Sequence, residues 1–79
     1  MLDEQRLRDV MSAVLRVPAS DISPSSSMDT IETWDSLAHM NLVLAIEEEF
    51  RVSIPDDEAA NVTSYQLLKL VLNELTAAR

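Results

Sequence analysis

A chain of 79 residues with no cysteine has neither a disulfide nor a thiolate metal site to hold it together, so a modest core must be stabilised by regular packing alone. Glycine is absent as well, which excludes Gly-rich phosphate loops and the central glycine of a standard calcium loop. The single histidine, His39, cannot build a multi-histidine metal site. With 47% hydrophobic and 25% charged residues the chain can still bury a core and wet a surface, and one domain over residues 1–79 is expected.

Apolar residues Leu7, Val10, Met11, Val14 and Leu15 follow the spacing of one helical face, with Asp3 as N-cap, and predict a first helix over about 3–16. Pro18 ends it. Residues 19–33 are rich in Ser, Asp and Pro and read as a long loop held down by Ile22, Met28 and Ile31. A second helix is expected from Asp35, its N-cap, to Phe50. This helix carries two apolar stripes: Leu42, Val43, Ile46 and Phe50 on one side, Leu37, Met40 and Leu44 on another. Either it is buried on more than one side or the second stripe faces a partner, and the rim of Glu47, Glu48 and Asn41 favours the partner.

Pro55 followed by Asp56, Asp57 and Glu58 predicts a short third helix. A capping box over residues 63–66, stapled by Val62 and Leu67, predicts a last helix to about Ala77 with Leu68, Val71, Leu72 and Leu75 inward. The only β-like stretch, Arg51 to Ile54, stops at Pro55. The expected fold is all-α: a small helical bundle of three longer helices and one short one, with a long loop between helices one and two.

The net charge of −8 lies between Asp29 and Ala60, where nine acids face Arg51 alone. Such a stretch repels nucleic acid and anionic lipid and suits a basic protein surface. No apolar run is long enough to span a bilayer, and residues 1–6 have neither the basic flank nor the apolar core of a signal peptide. A cytoplasmic monomer without nucleic-acid binding or membrane insertion is expected.

Asp35 and Ser36 fall where the long loop meets the second helix, and on local sequence they are an ordinary helix start. A hydrolytic triad with His39 is disfavoured, because adjacent Asp and Ser with His one turn on do not form the required relay and no glycine can build an oxyanion loop. His39 reads instead as a partly exposed surface residue.

From Trp34-Asp35-Ser36-Leu37, through Leu42 to Phe50 with its Glu47-Glu48-Glu49 run, to Ile54-Pro55-Asp56, the chain resembles the acyl carrier protein family, and the helix order, length and acidity match. The resemblance implies that Ser36, in the Asp-Ser-Leu motif, bears covalent 4′-phosphopantetheine whose thiol holds an acyl or aminoacyl group as a thioester. It implies that Asp35, Leu37, Met40, Leu44, Glu47 and Glu48 meet partner enzymes, and that Ile54, Ala59 and Val62 shelter an acyl chain. The implied partners are a phosphopantetheinyl transferase, an acyl-loading ligase or acyltransferase, and downstream synthase-type enzymes with basic patches; the chain itself is not an enzyme. Many fatty-acid carriers have Gly shortly before the serine and an acid at the position of Asn41. Thr33, Trp34 and Asn41 therefore make this chain look more like freestanding carriers of specialised polyketide, peptide or lipid pathways.

The residues make that chemistry sensible, since a chain without a thiol needs one added and a hydroxyl at a loop-to-helix junction is reachable. The reading from another class is an unmodified acidic adaptor that uses the same strip to bind a basic partner non-covalently.

Overall fold

In the computed structural model the described residues, 3–77, form four helices, and the outermost residues of the expected 1–79 domain lie outside that range. Helix α1 is Glu4–Leu15; α2 is Ser36–Phe50; α3 is Asp56–Asn61; α4 is Tyr65–Ala77. No strand occurs among the described residues, so the all-α expectation holds; the β-like stretch from Arg51 to Ile54 is a loop.

Asp3 caps α1 as expected, its Oδ1 accepting from Arg6 N–H at 3.2 Å. Leu7, Met11 and Leu15 are buried on its inner face. With no glycine to take the left-handed position that ends a helix, Arg16 (φ 59°) and Arg51 (φ 54°) do so after α1 and α2. The long loop is pinned by Ile22 and Ile31, both buried, with Met28 half-buried. Trp34 and Ser26 are further anchors. A short antiparallel bridge joins Ser27 to Ser64, where Met28 N–H donates to Thr63 O at 3.0 Å and Tyr65 N–H to Ser26 O at 2.9 Å.

Beside that bridge α4 starts one residue later than the expected capping box. Ser64, not Thr63, is the cap: its Oγ accepts from Leu67 N–H at 3.2 Å. Leu67 is therefore exposed instead of stapled to Val62, whereas Leu68, Val71 and Leu72 are buried as expected and Leu75 is half-buried. The core gathers these residues with Leu7, Met11, Leu42, Ile46 and Tyr65.

Helices α1 and α2 are tied at their surface by Arg6, whose Nε lies 2.7 Å from Glu49 Oε1 and whose guanidinium sits over the Phe50 ring at 5.6 Å. Helices α1 and α4 are tied through Tyr65, whose hydroxyl donates to Glu4 Oε1 at 3.0 Å, with Lys69 Nζ 3.4 Å from the same oxygen. The Tyr65 bond, with smaller help from Lys69 and Arg8, holds the Glu4 carboxyl below the usual carboxylate range against the opposing effect of burial. Burial, reinforced by the Glu4 bond and charge, pushes the Tyr65 phenol up, against Arg8.

A carboxyl with a lowered folded value stabilises the fold at pH above its unfolded value, and that contribution disappears as pH falls through the folded one. A phenol with a raised folded value stabilises the fold below its unfolded value and ceases to do so as pH climbs through the folded one. Thermal melts of the protein should therefore lose stability at both ends. Tyr65→Phe should blunt the alkaline loss and, by removing the donor to Glu4, shrink the acid one. Melting curves of the variant that track those of the parent across both ranges would contradict the assignment.

Candidate functional site

Asp35 is extended (φ −100°, ψ −175°) and caps α2: its Oδ1 accepts from Ala38 N–H at 2.8 Å, while its backbone carbonyl accepts from His39 N–H, also at 2.8 Å. The next residue, Ser36, is the first of the helix and is exposed. Among the described residues nothing hydrogen-bonds Ser36 Oγ, and the N–H groups of Ser36 and Leu37 are likewise unpaired, as helix-start donors are unless a cap or ligand meets them. An anionic ester on this oxygen would meet free donors and the positive end of a fifteen-residue helix, an interaction worth roughly 0.3–1 kcal/mol when exposed. The exposed hydroxyl thus leaves room for a tethered phosphodiester, and the helix end offsets part of the repulsion from the neighbouring Asp35 carboxylate.

The two apolar stripes of α2 separate as its periodicity implies. Leu42, Val43, Ile46 and Phe50 are buried, whereas Leu37, Met40 and Leu44 are 70%, 65% and 61% exposed. Helix α2 is therefore not buried all round: it carries a continuous apolar strip running away from Ser36. Asn41 and Glu48 are exposed beside the strip, and Glu48 has no partner among the described residues. Glu47 differs, being half-buried with Oε2 accepting from Ile54 N–H at 2.8 Å, so it also holds the loop that leads into α3.

His39 departs from the expected surface position. It is 9% exposed, on the buried side of α2 one turn before Leu42 and Val43. Trp34 Nε1–H donates to its Nδ1 at 3.0 Å, and its Nε2 lies 2.7 Å from Ala59 O. An indole can only donate and a carbonyl only accept, so the imidazole hydrogen sits on Nε2 and both ring nitrogens are satisfied. The ring also lies against Trp34, centroids 6.0 Å apart and planes 28° apart. Its place in the stripe, three and four residues before Leu42 and Val43, was a readable sign of burial; polarity outweighed it because neither partner is evident from the sequence around His39.

Beside the strip, α2 and α3 enclose an open cleft of about 430 Å³ lined by Met40, Val43 and Leu44 on one side and Ile54 and Ala59 on the other. Of the three residues expected to shelter a chain, Ile54 and Ala59 thus border this cleft, while Val62 is 2% exposed and absent from its walls.

Among known families, the one described as the phosphopantetheine attachment site matches this chain over residues 5–71, a span that runs from α1 to the buried Val71 of α4 and so takes in the cap, the strip and the cleft. A match of that extent across a bundle whose second helix opens on an exposed serine leaves one classification: the chain belongs to the phosphopantetheine-attachment family of carrier proteins, which bear 4′-phosphopantetheine covalently.

Proposed function

We propose that Ser36 is the attachment residue and that the protein is a non-catalytic carrier of an acyl or aminoacyl group, presented in turn to a loading ligase or acyltransferase and to synthase-type enzymes. The observation that supports this most directly is the exposed, unbonded Ser36 hydroxyl on the first residue of a capped helix. Modification by a phosphopantetheinyl transferase would form a bond from Ser36 Oγ to the phosphorus of coenzyme A that bears pantetheine. The pyrophosphate P–O bond breaks, adenosine 3′,5′-bisphosphate leaves, and the serine proton passes to base or solvent. The group so added supplies the thiol that the chain lacks. Asp35 fixes the helix start, and the strip of Leu37, Met40 and Leu44 offers each enzyme a small apolar contact beside the serine.

The residues around the motif favour a carrier of a specialised polyketide, peptide or lipid pathway, with Trp34 and Asn41 where fatty-acid carriers commonly differ. Incubation with a transferase and coenzyme A should add one phosphopantetheine by intact mass. An unchanged mass with a transferase active on a control carrier would favour the non-covalent adaptor instead.

Partner encounter should be steered by the acids that remain available to solvent. Glu49 is paired with Arg6 and Glu47 holds Ile54, which makes Glu48 the clean probe. Glu48→Lys should slow association with the transferase roughly 3–10-fold at low ionic strength, and the effect should shrink as salt screens the field. A penalty that does not change with salt would show that Glu48 acts by direct contact instead. Glu47→Lys should slow association and also lower the melting temperature, because Ile54 N–H loses its acceptor.

A further inference from the structure

Trp34, His39 and Ala59 are joined by successive bonds of 3.0 and 2.7 Å, which link the end of the long loop to α2 and α2 to α3. The second bond lies at the cleft, since His39 and Ala59 are both among its walls. A guest passing from this cleft into the core between His39 and Ala59 would have to part them. An alkyl chain offers no hydrogen-bond partner, so the separated imidazole N–H and carbonyl would face hydrocarbon unpaired. The residues behind the bond are closed to solvent: Trp34, Ile46, Val62 and Leu68 are each at most 2% exposed, and no buried polar side-chain atom among the described residues lacks a partner. The cleft outside the bond is open and of mixed character, with Glu47, Ser53 and Asp56 beside its apolar residues.

We infer that the Trp34–His39–Ala59 chain bolts the bundle against acyl chains, so that the cargo, whatever its length, is held outside the core. This inference rests on attachment at Ser36. It confines any shelter to the surface cleft bordered by Ile54 and Ala59 and assigns Val62 to the core.

The test loads the intact chain from acetyl- and octanoyl-coenzyme A with a transferase, checks each product by mass, and follows thioester cleavage by hydroxylamine against the corresponding free acyl-pantetheine. Both thioesters should be cleaved at rates within about twofold of their free counterparts, because a cargo that stays outside spends no appreciable time protected. Trp34 is the sole tryptophan and sits on the bolt, so its emission should be the same in the unloaded, acetyl and octanoyl forms. Protection of the octanoyl thioester by about tenfold or more, which requires a mostly buried chain, or a shift of Trp34 emission with that cargo alone, would overturn the inference while leaving attachment intact. Failure of both donors to load would overturn the attachment reading and this inference with it.

Discussion

Ser36→Ala is expected to abolish the mass gain with coenzyme A and transferase completely, while the melting temperature stays within about 3 °C of the parent, as for a surface substitution away from packing. The effect is all-or-none because the hydroxyl is the nucleophile and alanine offers none. Stability should barely change because Ser36 Oγ makes no bond among the described residues and the cap that starts α2 belongs to Asp35. Ser20 and Ser53 are also exposed, so exposure alone does not single out the site. They lie in a single 3₁₀ turn and in the loop before α3, without a long helix behind them or the apolar strip beside them. Ser53→Ala should therefore be modified as fully as the parent. Modification that survives in Ser36→Ala would move the site elsewhere, and its loss in both variants would point to a defect in docking.

His39→Ala should be the most damaging of the single substitutions considered. It strands the Trp34 indole N–H and the Ala59 carbonyl in or near the core and leaves a gap against the Trp34 ring. An orphaned buried polar group costs about 1–3 kcal/mol; the indole N–H bears that cost in full, whereas the half-buried Ala59 carbonyl can be met in part by water, so the two together should remove about 2–4 kcal/mol. A domain of this length has only about 4–12 kcal/mol in all, and the melting temperature should fall by roughly 10–25 °C. Trp34→Phe removes only the donor and should cost less. Because the two side chains share one bond, the losses in the double variant should be smaller than their sum. Urea and thermal unfolding of the four proteins would measure this, with a red shift of Trp34 emission in His39→Ala as a sign that water has reached the indole through the gap left by the imidazole. A fall below about 3 °C would mean that the bond is not holding α3 to α2.

Much of the architecture follows from patterns confined to a few turns. The caps at Asp3 and Asp35, the inner faces of α1 and α4, and the split of α2 into a buried and an exposed stripe all follow from residues three and four apart meeting on one helix face. The exposed serine was legible for the same reason, since a residue just after an N-cap lies where the helix has not yet closed its own bonds. Where the local pattern misled, a distant group had intervened. Helix α4 starts one residue later than the capping pattern implies, with Ser64 both capping the helix and bridged to Ser27 far back in the loop. Glu47 looked like a free surface acid, yet a chain reversal brings the Ile54 N–H onto it. His39 looked exposed because a lone histidine carries no mark of its partners: one is an indole five residues earlier and the other a main-chain carbonyl twenty residues later.

Helix placement, the concentration of negative charge around α2 and the presence of a hydroxyl at its first residue were decided by the order of residues alone, because periodicity, capping and charge are short-range or additive properties. Which polar groups are spent inside the protein and which are left for other molecules was decided only by the tertiary structure. Backbone carbonyls and N–H groups are the same at every position of a chain, so the pairing of His39 with Ala59 and of Glu47 with Ile54 has no signature until folding brings them within 3 Å.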